Sequence, residues 1–315
     1  MAHEIETMAF VGATPWHGLG VKMEENDGYS WEVVSAKAGL DWGVETVPLV
    51  TNDLQPVPQA NAVRRMTDKK VLGVVGPRFT PLQNKDALSW FQPFLDAREA
   101  VIDTAGSLKG GSRIWALAKI NRNPLVIAKD DEVEKYILLA HAHDGSLAIR
   151  LGFTPIRVVC RNTLSLAVNS AASKLVRIRH TVQAKQNLES LREIMNLANQ
   201  EFEATAEQYR FLASRHINTA DLMKYVKTIF DVKPNEELSS RMKNIIDKVI
   251  GMCESGRGNT LASVRGTYWT AYNGVTEYLG YSYGNNKDNR LDNLWFGQNA
   301  ALNKTALETA LEMAA

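Results

Sequence analysis

Residues 101–120 read Val-Ile-Asp-Thr-Ala-Gly-Ser-Leu-Lys-Gly-Gly-Ser-Arg-Ile-Trp-Ala-Leu-Ala-Lys-Ile, and this run decides the fold class. Val101 to Leu108 and Ser112 to Ile120 are two β-prone segments. Lys109-Gly110-Gly111 between them supplies the backbone freedom of a hairpin turn. In the second segment Ile114, Ala116 and Ala118 alternate with Arg113, Trp115, Leu117 and Lys119. A strand sends successive side chains to opposite faces, so one face presents Arg, Trp and Lys together.

The same texture continues outward. Val71 to Phe79 reads as a strand that ends at Thr80-Pro81, and Asn84 can cap a helix through Ala97 with Leu88, Phe91 and Leu95 on one face. Val133 to Ala142 and Ser146 to Leu151 form a second hairpin around His143-Asp144-Gly145, where Asp-Gly is a strong turn signal. Ile156 to Cys160 is a short strand after Pro155. Asn162 can then cap a helix striped by Leu164, Ala167, Val168, Ala171, Ala172 and Leu175. From Gln183 on, breakers are few and the period is helical, with helices expected at Thr219–Phe230, Glu237–Cys253, Leu261–Tyr281 and Ala300–Ala314. The expected class is α+β: an antiparallel sheet backed by helices on one face, its other face free to bind, followed by an α-helical C-terminal region. Three parts are expected: an N-terminal arm or extended segment over 1–70, an α+β core over 71–182 and a helical region over 183–315.

Composition narrows the function classes. Hydrophobic residues make up 45% and charged residues 23%, as in an ordinary globular protein. The start MAHEIETMAF lacks the basic-then-apolar order of a secretory signal, and no apolar run approaches the length of a membrane span. Cys160 and Cys253 are far apart and outside any Cys-x-x-Cys pattern, which fits neither a disulfide framework nor a structural zinc site. A bacterial cytoplasmic setting is expected, with no membrane partner.

Charge is unevenly placed. From Gly145 to Leu188 the chain carries Arg150, Arg157, Arg161, Lys174, Arg177, Arg179 and Lys185 and no acid, although its net charge is only +1. A near-neutral protein with a local cationic strip offers an anion-binding surface. Each phosphate neutralised along a single strand releases a counterion, and exposed aromatics add base stacking. The expected nucleic-acid contacts are Lys109, Arg113, Trp115, Arg150, Arg157, Arg161, Lys174, Arg177 and Arg179. The plainer reading is that these cations pair with acids of the helical region.

Other constellations carry less. His141-x-His143-Asp144 puts two imidazoles on one side of a strand beside a carboxylate, the makings of a metal-dependent nuclease or hydrolase. No third distant ligand is evident, and Asp-Gly also has a purely conformational role in a turn. Lys109-Gly110-Gly111-Ser112 lacks the spacing of a phosphate-binding loop for nucleotide hydrolysis. Cys160 sits in an apolar strand, where a buried thiol is the default. Without a nucleophile–base set, neither catalysis nor a cofactor is expected.

Several segments, in order, carry a resemblance: Pro15-Trp16-His17-Gly18-Leu19-Gly20, Pro81-Leu82-Gln83-Asn84-Lys85-Asp86-Ala87, Thr104-Ala105-Gly106-Ser107-Leu108, Gly111-Ser112-Arg113-Ile114-Trp115-Ala116, Arg157-Val158-Val159-Cys160-Arg161-Asn162-Thr163-Leu164 and Tyr272-Asn273-Gly274-Val275-Thr276-Glu277-Tyr278. They resemble an uncharacterised phage/plasmid-like protein family classed as a domain of unknown function. That resemblance implies a mobile-DNA context and transfers no catalytic residue. At the level of element order, Val71 to Lys174 is similar to single-strand annealing recombinases of the RecT, Red-beta and Erf kind. This analogy implies a homo-oligomeric ring or filament holding single-stranded DNA in a basic groove. The expected function is therefore single-stranded DNA binding and annealing in homologous recombination, with no enzymatic step. A metal-dependent hydrolase using His141, His143 and Asp144 is one alternative, and a protein-interaction module acting on a host factor is another.

Overall fold

The structure, a computed structural model, describes residues 5–12, 18–120, 123–157, 162–163, 176–190, 194–233, 237–284 and 290–315. In the first half the elements are β1 (Ile5–Val11), β2 (Val21–Met23), α1 (Trp31–Lys37), β3 (Val44–Val50), β4 (Pro56–Arg65), β5 (Val71–Val75), α2 (Asn84–Ser89), α3 (Gln92–Asp96), β6 (Ala100–Leu108), β7 (Arg113–Ile120), β8 (Leu125–Ala128), β9 (Asp131–Ala142), β10 (Ile149–Arg157), β11 (Asn162–Thr163) and β12 (Val176–Ile178). Helices follow: α4 (Ala184–Ser190), α5 (Ile194–Ser214), α6 (Thr219–Ile229), α7 (Ser240–Ser255), α8 (Tyr268–Tyr281), α9 (Arg290–Phe296) and α10 (Gln298–Ala314). The class is α+β with antiparallel pairing dominant and a helical C-terminal region, as the sequence pattern implies.

The chain divides into two compact units that interleave. One comprises residues 1–122, 136–153 and 174–196, the other 123–135, 154–173 and 197–315. The expected arm over 1–70 and the expected boundaries at 71 and 183 give way to this division. The described residues before Val71 form strands and a helix of the first unit rather than an arm, because Ile5, Met8, Ala9 and Phe10 are apolar and buried in its sheet. Three of the boundaries fall inside elements: in β9 after Lys135, in β10 after Phe153 and in α5 after Asn196.

In the first unit the strands lie in the order β12-β10-β9-β7-β6-β1-β2. The β6–β7 hairpin pairs Leu108 with Arg113 through Ala100 with Ile120, and its turn holds Lys109, Gly110 and Gly111 at positive φ. That conformation is open to glycine and strained for a side chain, which explains the Gly-Gly step. The Asn84–Ala97 helix is in fact two, α2 and α3, with Pro93 in the first turn of α3. Gln83 rather than Asn84 occupies the α2 N-cap position, and the Asn84 side chain is used elsewhere. Separately, β3-β4-β5 make a three-stranded antiparallel sheet in the same unit.

The second unit is built around α8, in which every side chain from Tyr268 to Leu279 is buried. A helix buried all round must be central. Gly274 lets α7 approach it, since a Cβ there would meet the Cys253 backbone nitrogen at 2.4 Å. The Tyr272-to-Tyr278 segment quoted for the family resemblance is therefore a packing element. Here β8 pairs with the start of β9, and Ile156–Arg157 pair with Asn162–Thr163. The expected helix after Asn162 lies outside the described residues, as do Trp16-His17 and Cys160.

Candidate nucleic-acid interface and a buried histidine cluster

The hairpin face expected to be open is closed. Trp115 is 3% exposed, Leu117 6% and Arg113 6%, and their neighbours across β9, Tyr136, Leu138 and Ala140, are buried as well. Arg113 reaches Ser146, donating from Nη2 to Oγ at 2.8 Å. Neither Trp115 nor Arg113 can meet a nucleic acid from that position, so both leave the proposed interface. The alternation that puts Arg, Trp and Lys on one face is real; the inference that this face is solvent-exposed was not, because Trp and Leu dominate its buried area.

The strip itself splits. Arg161 and Lys174 lie outside the described residues, as does the Arg157 side chain. Lys185 ion-pairs with Asp86 at 2.9 Å. Lys109 is exposed in the β6–β7 turn, at the loop whose Gly110 carbonyl accepts from Lys70 and Arg65. What remains together is a row at the β10–β12 edge. Arg150 stands directly opposite Arg177 in the antiparallel register, and Arg179 follows two residues on. Arg177 and Arg179 are exposed, and Arg150 is half-buried. Burial and the facing Arg177 cation both push the Arg150 pKa down. Its Nε is buried without a hydrogen-bond partner. Like charges directly opposed on a sheet repel, so the pair costs the fold stability unless an opposite charge compensates it.

The other half of the β12 alternation turns inward. Ile178 is 7% exposed and His180 8%, while Arg177 and Arg179 between and beyond them face out. His180 thereby joins His141 and His143, both 0% exposed, in one cluster. The His141 and His143 rings are 4.9 Å apart, and those of His141 and His180 6.0 Å. Trp42 packs beside His143 at 5.5 Å and Phe79 stacks on His180 at 4.7 Å. The Arg65 guanidinium in turn lies 4.3 Å over Trp42 and is ion-paired with Glu6.

Asn84 fixes the His143 ring. Its Nδ2 donates to the carbonyls of Leu40 and Trp42, each at 3.1 Å, so its Oδ1 must face His143 Nε2, 3.0 Å away. That makes His143 Nε2 a donor. His180 Nε2 likewise donates to the Leu147 carbonyl at 3.2 Å. Nδ1 of both rings has no hydrogen-bond partner, and His141 has none at either nitrogen. Burial depresses all three pKa values. His141 is held well below the ordinary imidazole range, with His143 and His180 adding to the effect. His143 falls to about 3, and His180 falls less because the Leu147 and Thr80 carbonyls and Asp144 oppose burial. The cluster is neutral at physiological pH.

Asp144 is not part of it in the sense the metal reading required. Its Oδ1 accepts from the Ser146 backbone at 2.9 Å, the conformational role of a turn aspartate. As the side chains stand, no three His, Cys, Asp or Glu among the described residues are placed to hold a metal ion. His141 and His143, fully buried, offer no surface to a polynucleotide substrate. Sequence reading missed His180, Asn84 and Trp42. The alternation Val176-Arg177-Ile178-Arg179-His180 was the available signal for the first of these, since it sends His180 inward with Ile178.

The fold and these two features define an α+β protein with an arginine row at a sheet edge and a buried imidazole cluster behind it. The chain belongs to the family described as a domain of unknown function (DUF932), which it matches over residues 71–306. No curated protein and no solved structure matches it. No helix among the described residues is long and apolar enough to cross a membrane.

Proposed function

We propose that this protein binds single-stranded DNA along Arg150, Arg177 and Arg179 and anneals complementary strands. In this reading it is a homo-oligomeric recombination factor of phage or plasmid origin, working in the cytoplasm of a bacterial host. The carrying observation is the Arg150–Arg177 juxtaposition across β10 and β12, a like-charge pair with no ion-pair partner among the described residues. Such a pair gains most from a ligand that brings its own negative charge at short intervals, as a phosphate backbone does. With Trp115 buried, binding rests on phosphate contacts rather than on base stacking at that tryptophan.

The test is anisotropy titration of a labelled oligothymidylate against the full chain and an Arg150→Gln/Arg177→Gln/Arg179→Gln variant. The variant should bind at least tenfold more weakly. Its log–log salt slope should be shallower by about 2, since each lost single-strand phosphate contact removes about 0.7. Equal affinity and slope in the two proteins would discard the proposal. A strand-annealing assay with complementary oligonucleotides separates annealing from binding alone.

A further inference from the structure

We infer that Arg78 extends the arginine row, so that a bound single strand runs from the β10–β12 edge onto the turn after β5. The inference rests on the single-stranded DNA reading above and adds a contact and a path to it. It starts from the turn itself. Gly76-Pro77-Arg78-Phe79 closes a β-turn in which the Phe79 N–H donates to the Gly76 carbonyl at 3.0 Å. Proline at the second position pre-sets its own φ, and Arg78 at the third keeps a negative φ, as a type I turn needs. Arg78 is thus exposed at the tip of a stiff turn rather than on a loose loop.

Two contacts seat this turn against the end of β12, within one compact unit. The Thr80 N–H donates to the His180 carbonyl at 3.1 Å, and the Phe79 ring stacks on His180 at 4.7 Å. Phe79 also reaches the β9–β10 turn, where a Cβ added to Gly145 would meet its Cε2 at 3.9 Å. Phe79 and His180 therefore share the inward side. Arg78, beside Phe79, and Arg179, beside His180, are both exposed. Successive Cα atoms are about 3.8 Å apart, so these links keep the Arg78 and Arg179 Cα atoms within about 16 Å. Two extended arginine side chains span much of that distance.

Charge decides which cation continues the row. Arg177 and Arg179, two residues apart on an extended chain, are spaced by about 6.6 Å. Beyond them, the next cation of the same segment is Lys185, and it is ion-paired with Asp86 at 2.9 Å. Arg78 has no ion-pair partner among the described residues. Its charge is open to an anion where that of Lys185 is taken. A guanidinium also grips a phosphate through two parallel hydrogen bonds, which an ammonium does not. A strand that follows the row meets Arg150 and Arg177, then Arg179, then Arg78. That path spans about four nucleotides, a length a single-strand groove can hold.

Anisotropy titration of labelled oligothymidylate, repeated across salt concentrations, compares the full chain with Arg78→Gln, Arg78→Lys and Lys22→Gln. Lys22 is the control, because it is an exposed cation on β2, at the opposite edge of the same sheet. Arg78→Gln should bind about threefold more weakly, with a log–log salt slope shallower by about 0.7, the share of one single-strand phosphate contact. Arg78→Lys should keep the parent slope, since the charge is retained. Lys22→Gln should keep both slope and affinity. All four proteins should melt together, because neither side chain is buried. If Arg78→Gln behaves as Lys22→Gln does while the Arg150/Arg177/Arg179 variant binds weakly, the strand does not reach the turn: this inference falls and the binding reading stands. If the parent itself does not bind the oligonucleotide, both fall.

Discussion

The two units differ in how some of their buried polar groups are closed. In the helical unit, Trp269 Nε1 donates to the fully buried Asp131 at 2.8 Å. Tyr225 donates to the Ala306 carbonyl at 2.9 Å, Asn299 to that of Leu279 at 2.9 Å, and Asn259 to those of Met252 and Thr270 at 2.9 and 3.0 Å. Each of these side chains ties one element to another and fixes a single packing. In the sheet unit, three imidazoles lie buried side by side and leave ring nitrogens unused. A satisfied buried network serves the fold, whereas an unsatisfied one costs stability.

The largest test of the scaffold side is Gly274→Ala. Helix propensity alone predicts a gain of about 1 kcal/mol for this change. Against it, the new Cβ would lie 2.4 Å from the Cys253 backbone nitrogen and 2.5 Å from its Cα, atoms that cannot swing aside. Overpacking of this kind costs about 1–3 kcal/mol and occasionally more. The clash should win, with a net loss of about 2 kcal/mol (the top of that range less the propensity gain) read as a lower urea midpoint at constant m. A stabilised variant would mean that α7 and α8 do not pack so closely.

Acid should expose the sheet side next. His143 has a folded pKa of about 3, against an ordinary value of 6.5. Between those values the unfolded chain binds a proton that the native chain refuses, so stability rises with pH across this window and falls as pH drops through it. At pH 5 the loss from His143 alone is about 2 kcal/mol relative to pH 7. Burial of His141 and His180 adds in the same direction. Urea melts at pH 7 and pH 5 check this, and His143→Gln should flatten the dependence. An equally steep dependence in that variant would place the titrating group elsewhere.

How much of this was legible in the sequence follows from the range of each interaction. The Lys109-Gly110-Gly111 turn, the β6–β7 hairpin and helices α6, α7, α8 and α10 are local, and period or turn chemistry marks them. Helix α8 begins seven residues later than its apolar run suggests, because Thr267 and Thr270 form a capping box there. The open or closed state of a strand face is not local. Arg113, Trp115 and Lys119 alternate as a solvent-facing set would, yet Trp115 is buried with Leu117. The arginine row was legible only in part: alternation relates Arg177 to Arg179, but nothing short of register puts Arg150 opposite Arg177. The histidine cluster needed register too. His141 and His143 were visible as a pair, while His180 reaches them only because β12 joins β10 beside β9.

A smaller effect sharpens the scaffold side. Trp269→Phe keeps most of the aromatic area and removes one hydrogen bond to the buried Asp131 carboxylate. Bonds to charged groups contribute about 1.5–3 kcal/mol, and Asp131 retains other interactions, so a loss near the lower end, about 1.5 kcal/mol, is expected by thermal or urea melting. A neutral outcome would show that polar closure in the helical unit is dispensable, and the contrast with the histidine cluster would weaken.

Arg150→Gln should give the smallest change and the most informative sign. The substitution removes a half-buried guanidinium whose Nε has no partner and which faces Arg177 across the register. Like charges directly opposed on neighbouring strands are destabilising by a few tenths of a kcal/mol to about 1. Glutamine keeps much of the aliphatic stem that packs along the strand. The expected result is a gain of about 0.5 kcal/mol at low salt that shrinks as ionic strength rises, because screening relieves the repulsion in the parent but has none to relieve in the variant. Such a gain is what the proposed anion-binding role of Arg150 requires, since a residue placed for a ligand can weaken its own fold. If Arg150→Gln instead loses more than about 1 kcal/mol, the arginine supports the sheet, and the row at the β10–β12 edge is a structural feature without a ligand.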